Sequence, residues 1–144
     1  MSAGTQSSEN AKALVERYYA AFNAGDAGGM LACLTEDVAH DVNQGGRRTG
    51  KDLFAEFCAH MARCYREELT DIVVMPAADG SRVAAEFTVN GTYLADDEGL
   101  PAASGQTYCL PAGTFFEISG GLISRVTTYY NLQDWIAQVT GEGA

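Results

Sequence analysis

Basic residues are scarce in this chain. Nine lysines and arginines among 144 residues stand against nineteen aspartates and glutamates, for a net charge of −10. Nucleic acids are held by Lys and Arg on phosphate, and anionic membranes attract the same side chains. Both are therefore excluded as partners, and a small neutral or apolar ligand fits this surface better. Long apolar runs are missing too, since none approaches the roughly 20 residues needed to cross a bilayer. The Ser/Gly/Thr/Gln-rich start, Met1 to Asn10, lacks the basic patch and apolar core of a secretory signal. No C-x-x-C pair occurs among Cys33, Cys58, Cys64 and Cys109, and His40 and His60 stand at no metal-ligand spacing from them. Free thiols in a reducing cytoplasm are expected, without zinc or disulfides. No glycine-rich phosphate loop and no Ser-His-Asp order is recognisable, and no cofactor or metal is expected.

What is present is a globular composition, 47% hydrophobic with 10% aromatics. The length suits one domain, taken as residues 10–140, with residues 1–9 as a frayed tail and 141–144 as a second tail. Ala11, Leu14, Val15, Tyr18, Tyr19 and Phe22 recur at helical spacing, predicting an amphipathic helix from Asn10 to Ala24 with Ser8 or Asn10 as its cap. Asp26 is positioned to cap a short second helix carrying Met30, Leu31 and Leu34. A short strand is expected over Asp37 to Asn43, then a loop from Gln44 to Gly50 in which Arg47 and Arg48 are solvated. Lys51 to Tyr65 is the strongest helix, with Leu53, Phe54, Phe57, Cys58 and Met61 along one stripe. The remainder reads as β: strands over Leu69 to Pro76, Arg82 to Tyr93, Thr107 to Ile118 and Leu122 to Tyr130, then a short helix from Asn131 to Val139. Pro111 and Gly113 mark a bulge or bend in the third of these strands. Helices followed by an antiparallel meander make an α+β fold, and a bent sheet under a helix layer leaves room for a pocket.

One acidic residue stands out. Asp41, in His40-Asp41-Val42-Asn43, lies between an aromatic-rich helix and a second helix rich in Phe, Met and Cys. A carboxylate held among apolar side chains has a raised pKa and becomes a useful proton acceptor near neutrality. If Asp41 looks into the cavity, strand alternation puts Asn43 beside it and points His40 away.

The order of elements resembles the ketosteroid isomerase and SnoaL-like polyketide cyclase group of the nuclear-transport-factor-2-like (cystatin-like) superfamily, over about Ala11 to Val139. The resemblance is carried by Arg17-Tyr18-Tyr19-Ala20-Ala21-Phe22-Asn23-Ala24-Gly25-Asp26, by Asp41 to Arg48-Thr49-Gly50, and by Gly121-Leu122-Ile123-Ser124-Arg125 through Tyr129-Tyr130-Asn131. It implies a cone: a curved antiparallel sheet of mixed order, packed by three N-terminal helices and a short C-terminal helix. Tyr18 stands eight residues before Asp26, the spacing of the family's oxyanion-donating tyrosine, and Asp41 stands nine before Gly50, the spacing of its general base. A second oxyanion donor, an acid on the third strand, has no counterpart, because no carboxylic acid occurs between Pro101 and Phe116. In ketosteroid isomerases an apolar site keeps that acid protonated, and losing one oxyanion donor costs about 10²–10³ in rate.

The resemblance thus implies proton abstraction from a small hydrophobic carbonyl compound, as in an isomerase, cyclase or dehydratase. Asp41 would be the base, Tyr18 the oxyanion donor, and Phe22, Asn43, Phe54, Phe57, Met61, Phe87, Tyr108, Phe115, Val126, Thr128 and Tyr130 the lining. The alternative is a ligand-binding or interaction module without catalysis on the same fold. Either way a homodimer is expected, because the outer face of the sheet needs cover.

Overall fold

A computed structural model of the chain describes residues 3–43 and 45–141, with side chains from residue 7 onward. Residues 1 and 2 of the expected N-terminal tail, and 142–144 of the C-terminal one, lie outside the described residues. The elements run α1 (Ala3–Asn23), α2 (Ala27–Leu31), β1 (Leu34–Val42), β2 (Arg48–Thr49), α3 (Lys51–Cys64), β3 (Tyr65–Pro76), β4 (Arg82–Tyr93), β5 (Thr107–Ser119), β6 (Leu122–Tyr130) and α4 (Leu132–Thr140). Among the described residues, no helix is long and apolar enough to cross a membrane.

Local chemistry sets most boundaries as expected. The Asp26 carboxylate accepts from the Gly29 amide to start α2, and Asn131 accepts from the Asp134 amide to start α4. Three expectations are corrected. β1 begins at Leu34 rather than Asp37, so Leu34 belongs to the strand and not to the second helix. Ser8 and Asn10 lie inside α1 rather than capping it, because its polar first turns continue as helix to Ala3. The strand after α3 begins at Tyr65 rather than Leu69, with no connecting loop. That early start gives Arg66, Glu67 and Glu68 strand alternation.

The six strands form one sheet in the order β2-β1-β6-β5-β4-β3. β1 runs parallel to β6, and the other neighbours are antiparallel. Pro111 and Gly113 cause no bulge, since the β4–β5 register is continuous from Arg82↔Glu117 to Thr92↔Thr107. Pro111 sits one residue beyond the first β5–β6 pair, Ala112↔Tyr130, where its missing N–H interrupts no ladder on that side. Irregularities instead fall between Thr70 and Val73, where Asp71 takes a left-handed φ of 54°, between Glu117 and Ile118, and between Leu34 and Ala39. Each bends the sheet.

α1 packs across the concave face. Tyr18, Tyr19, Phe87 and Phe116 meet edge-on or tilted with centroids 5.2 to 5.9 Å apart. Such pairs add about 0.5–1.5 kcal/mol each beyond their burial. The end of α1 is pinned to the edge strand β3 by Asn23: its amide donates to the Leu69 carbonyl and its oxygen accepts from the Leu69 amide, both at 2.9 Å. Replacing Asn23 by Ala leaves two backbone groups of an edge strand without partners. The expected cost is about 1–3 kcal/mol, read in urea unfolding as a lower midpoint at unchanged slope.

Candidate functional site

Between the helices and the sheet lies a cavity of about 630 Å³, within the usual range for small-molecule sites. The expected residues Tyr18, Phe22, Phe54, Phe57, Met61, Phe87, Tyr108, Thr128 and Tyr130 all line it. Inward positions alternate along each strand, and Leu110, Ala112 and Thr114 on β5 carry the wall from Tyr108 toward Phe116.

Asp41 does not face this space. His40 and Val42 line the cavity, so the residue between them points to the outer face of the sheet. There its carboxylate accepts two hydrogen bonds from the Arg47 guanidinium, at 2.8 and 2.9 Å, and a third from the Thr127 hydroxyl at 2.7 Å. Thr127 is its register partner on β6 and accepts in turn from Arg125, which pairs with Glu117. The Arg47 hydrogen bonds lower the Asp41 pKa to about 2, against a smaller opposing effect of burial. This is a structural carboxylate with a depressed pKa, opposite to the raised value expected of a cavity base. Arg47 is accordingly a clamp on Asp41 and not merely solvated, while Arg48 lies 5.3 Å over the Phe57 ring.

Three lining expectations also change. Asn43, at φ 49°, accepts a hydrogen bond from the Tyr130 amide and fastens the end of β1 to β6. Phe115 is on the outer face and 50% exposed, edge-on to Tyr129. Val126 is buried in the core, in register between Phe116 and His40, and not on the cavity wall.

In place of Asp41 the cavity receives His40. The ring is 4% exposed, lies 4.8 Å from Phe54 and 4.6 Å from Phe57, and its Nδ1 is buried without a hydrogen-bond partner. Burial, and then the Arg48 charge, lower its pKa to about 4, so the imidazole is neutral at pH 7. Tyr18, 6.4 Å from Phe54 ring to ring, makes no hydrogen bond among the described residues, and the Tyr19 hydroxyl is buried without a partner close to Thr114. Burial raises both phenol pKa values well above the ordinary range. One end of the cavity therefore presents a neutral imidazole and two phenols that stay protonated.

Glu67 was not foreseen. It lines the opposite end, near Tyr65, Tyr130 and Trp135. The sequence signal is alternation with Tyr65 and Leu69, which a strand expected to begin at Leu69 does not reveal.

Beside that end, His60 and Tyr65 donate to Asp97 at 3.0 and 2.6 Å, with Cys64 close by. Arg63 donates to His60 Nδ1, which leaves Nε2 as the protonated nitrogen that serves Asp97. The His60-Cys64-Asp97 group is thereby accounted for as the anchor of the segment 94–106, from which Leu94 and Leu100 reach the cavity.

The family profile described as SnoaL-like domain matches residues 15–126. The chain belongs to the SnoaL-like family. It is 67% identical to a polyketide-cyclase candidate from Pseudomonas putida KT2440, with a TM-score of 0.88 over 90% of this chain and 97% of that one. Another such candidate, from Xanthomonas campestris pv. campestris, is 56% identical with a TM-score of 0.89 over 92% and 98%. An NTF2-like protein from Burkholderia xenovorans LB400, 16% identical, has a TM-score of 0.72 over 92% and 97% and shares the fold. A search of curated proteins finds no match. The SnoaL-like chain thus has the α+β NTF2-like fold: N-terminal helices, a six-stranded mixed sheet and a short C-terminal helix.

The buried imidazole gives a pH signature. An unfolded chain binds a proton at His40 near the ordinary imidazole value of 6.5, whereas the folded one does so only near 4. The contribution of His40 to stability is therefore complete above about pH 6.5, falls as the pH drops from 6.5 to 4, and changes no further below. His40→Gln should remove that part of the slope from a series of denaturant unfolding curves.

Proposed function

We propose that this SnoaL-like protein binds a small hydrophobic carbonyl compound and moves a proton beside its carbonyl, as an isomerase, cyclase or dehydratase does. The observation that supports it is the grouping of His40, Tyr18 and Tyr19 at one end of a largely apolar cavity. Two phenols held protonated can donate to a carbonyl oxygen and to the enolate that replaces it. The unpartnered nitrogen of a neutral imidazole can accept the adjacent proton, and the ion pair formed with the enolate offsets the cost of charging a buried ring. Asp41 takes no direct part, because its carboxylate is on the other side of the sheet.

A second reading, binding without catalysis, draws on the same imidazole, since a pKa of about 4 makes His40 a weak base. One experiment separates them: solvent-deuterium exchange into β-tetralone, followed by proton NMR. Wild type should accelerate exchange. His40→Gln should lose about 10²–10⁴ of that acceleration, and Tyr18→Phe about 10²–10³, while Asp41→Asn, if folded, retains it. Binding of β-tetralone without exchange supports the second reading, and full activity in His40→Gln contradicts the first.

We also propose that two copies pair through the outer sheet face. Val73, Met75, Phe115 and Tyr129 are exposed there, and Met75, Ala84, Phe115, Thr127 and Asp41 follow one another in register across the strands. An exposed apolar patch of this kind marks an interaction surface. Phe115→Glu should shift the sedimenting species from dimer to monomer, and a wild-type chain that sediments as a monomer contradicts the pairing.

A further inference from the structure

The end of the cavity away from His40 is built around a carboxylate. Glu67, Gly91 and Tyr108 are register partners on β3, β4 and β5. The Tyr108 ring lies across Gly91, where an added Cβ would collide with the ring. That crossing lets the Tyr108 hydroxyl donate to Glu67 Oε2 at 2.5 Å. Tyr108 is the sole hydrogen-bond partner of this carboxylate among the described residues, and no Lys or Arg among them stands within ion-pair distance of it.

Around it stand the rings of Tyr65, Tyr130 and Trp135, with Tyr108 and Trp135 edge-on at 5.8 Å and Tyr65 and Trp135 at 6.1 Å. The negative charge extends further. Burial raises the Tyr130 pKa first, and the charges of Glu67 and Asp97 raise it again. A carboxylate among aromatic rings, with no ion-pair partner among the described residues although Arg66 lines the same cavity, offers an organic ammonium opposite charge, a hydrogen-bond acceptor and aromatic surface.

We propose that this lobe is a subsite for a protonated amine, with Glu67 as its counter-ion, Tyr108 as the residue that positions Glu67, and Tyr65, Tyr130 and Trp135 as its walls. The inference rests on the reading of the cavity as a ligand site. It adds a second polar anchor: the ligand class becomes a hydrophobic compound with a carbonyl at the His40 end and a basic amine at the Glu67 end.

Trp135 is the sole tryptophan of the chain and lines this lobe, so its emission reports on occupancy. The test titrates phenethylamine, phenethyl alcohol and propylbenzene into the full-length protein at pH 7, then repeats the series with Glu67→Gln. Wild type is expected to bind the amine about tenfold or more tighter than the alcohol. Glu67→Gln should abolish that preference while leaving the alcohol and hydrocarbon within about twofold. Equal affinity for all three probes in wild type overturns the subsite and leaves the cavity reading standing. Preference for the amine that persists in Glu67→Gln also overturns it. Binding of none of the three contradicts the cavity reading and the subsite together. Where Glu67→Gln does not fold, equal affinity of the wild type for the three probes still overturns the subsite.

Discussion

The alternation of side chains along β1 is the constraint on which the site depends. Parallel pairing with β6 sets Asp41 against Thr127 and His40 against Val126. On the outer face Asp41 is held by Arg47 and Thr127, a carboxylate with three charge-assisted or hydroxyl donors. A shift by one residue would bury that carboxylate among Phe54, Phe57 and Tyr18 and bring the imidazole to the outer face. The ion pair and the apolar pocket therefore favour the same register, and both place His40 inside.

From that placement the electrostatics of the cavity follow. Its two ends differ in kind. At the His40 end the imidazole and the two phenols are neutral at pH 7, because burial lowers the imidazole pKa and raises those of the phenols. At the Glu67 end burial raises the carboxyl pKa, while the Tyr108 hydrogen bond favours the ionised form. Neutral donors suit a carbonyl oxygen that gains charge during reaction, and a carboxylate suits a donor that carries charge throughout. The aromatic packing of α1 and α4 against the sheet holds both ends without consuming their hydroxyl groups, apart from the Tyr108 bond to Glu67 and the Tyr65 bond to Asp97.

Much of the fold was legible in the sequence because its signals are local. β4 and β6 are found with the expected bounds, and the cap at Asp26 follows from a side chain that competes for a backbone amide. The site was less legible for two identifiable reasons. Spacing from Gly50 picks out Asp41, yet the face on which a strand residue lies is fixed by its neighbour across the sheet, here β6, which is remote in sequence. Glu67 was overlooked because α3 passes into β3 with no turn residues between them, so Arg66 to Glu68 carried no strand signal of their own. Phe115 was misplaced by the same kind of error as Asp41, since its hydrophobicity suggested an inward position that alternation with Thr114 and Phe116 denies.

The most direct test of the account is the protonation and ligand response of the two neighbours on β1. Nitrogen-labelled histidine and carboxyl-labelled aspartate, observed by NMR with and without β-tetralone, report on both at once. The account predicts a His40 ring that is neutral at pH 6 and shifts when the ketone binds, beside an Asp41 carboxyl that titrates near 2 and is unmoved. An Asp41 carboxyl that titrates above its ordinary value and shifts on binding, with an indifferent His40, would contradict it.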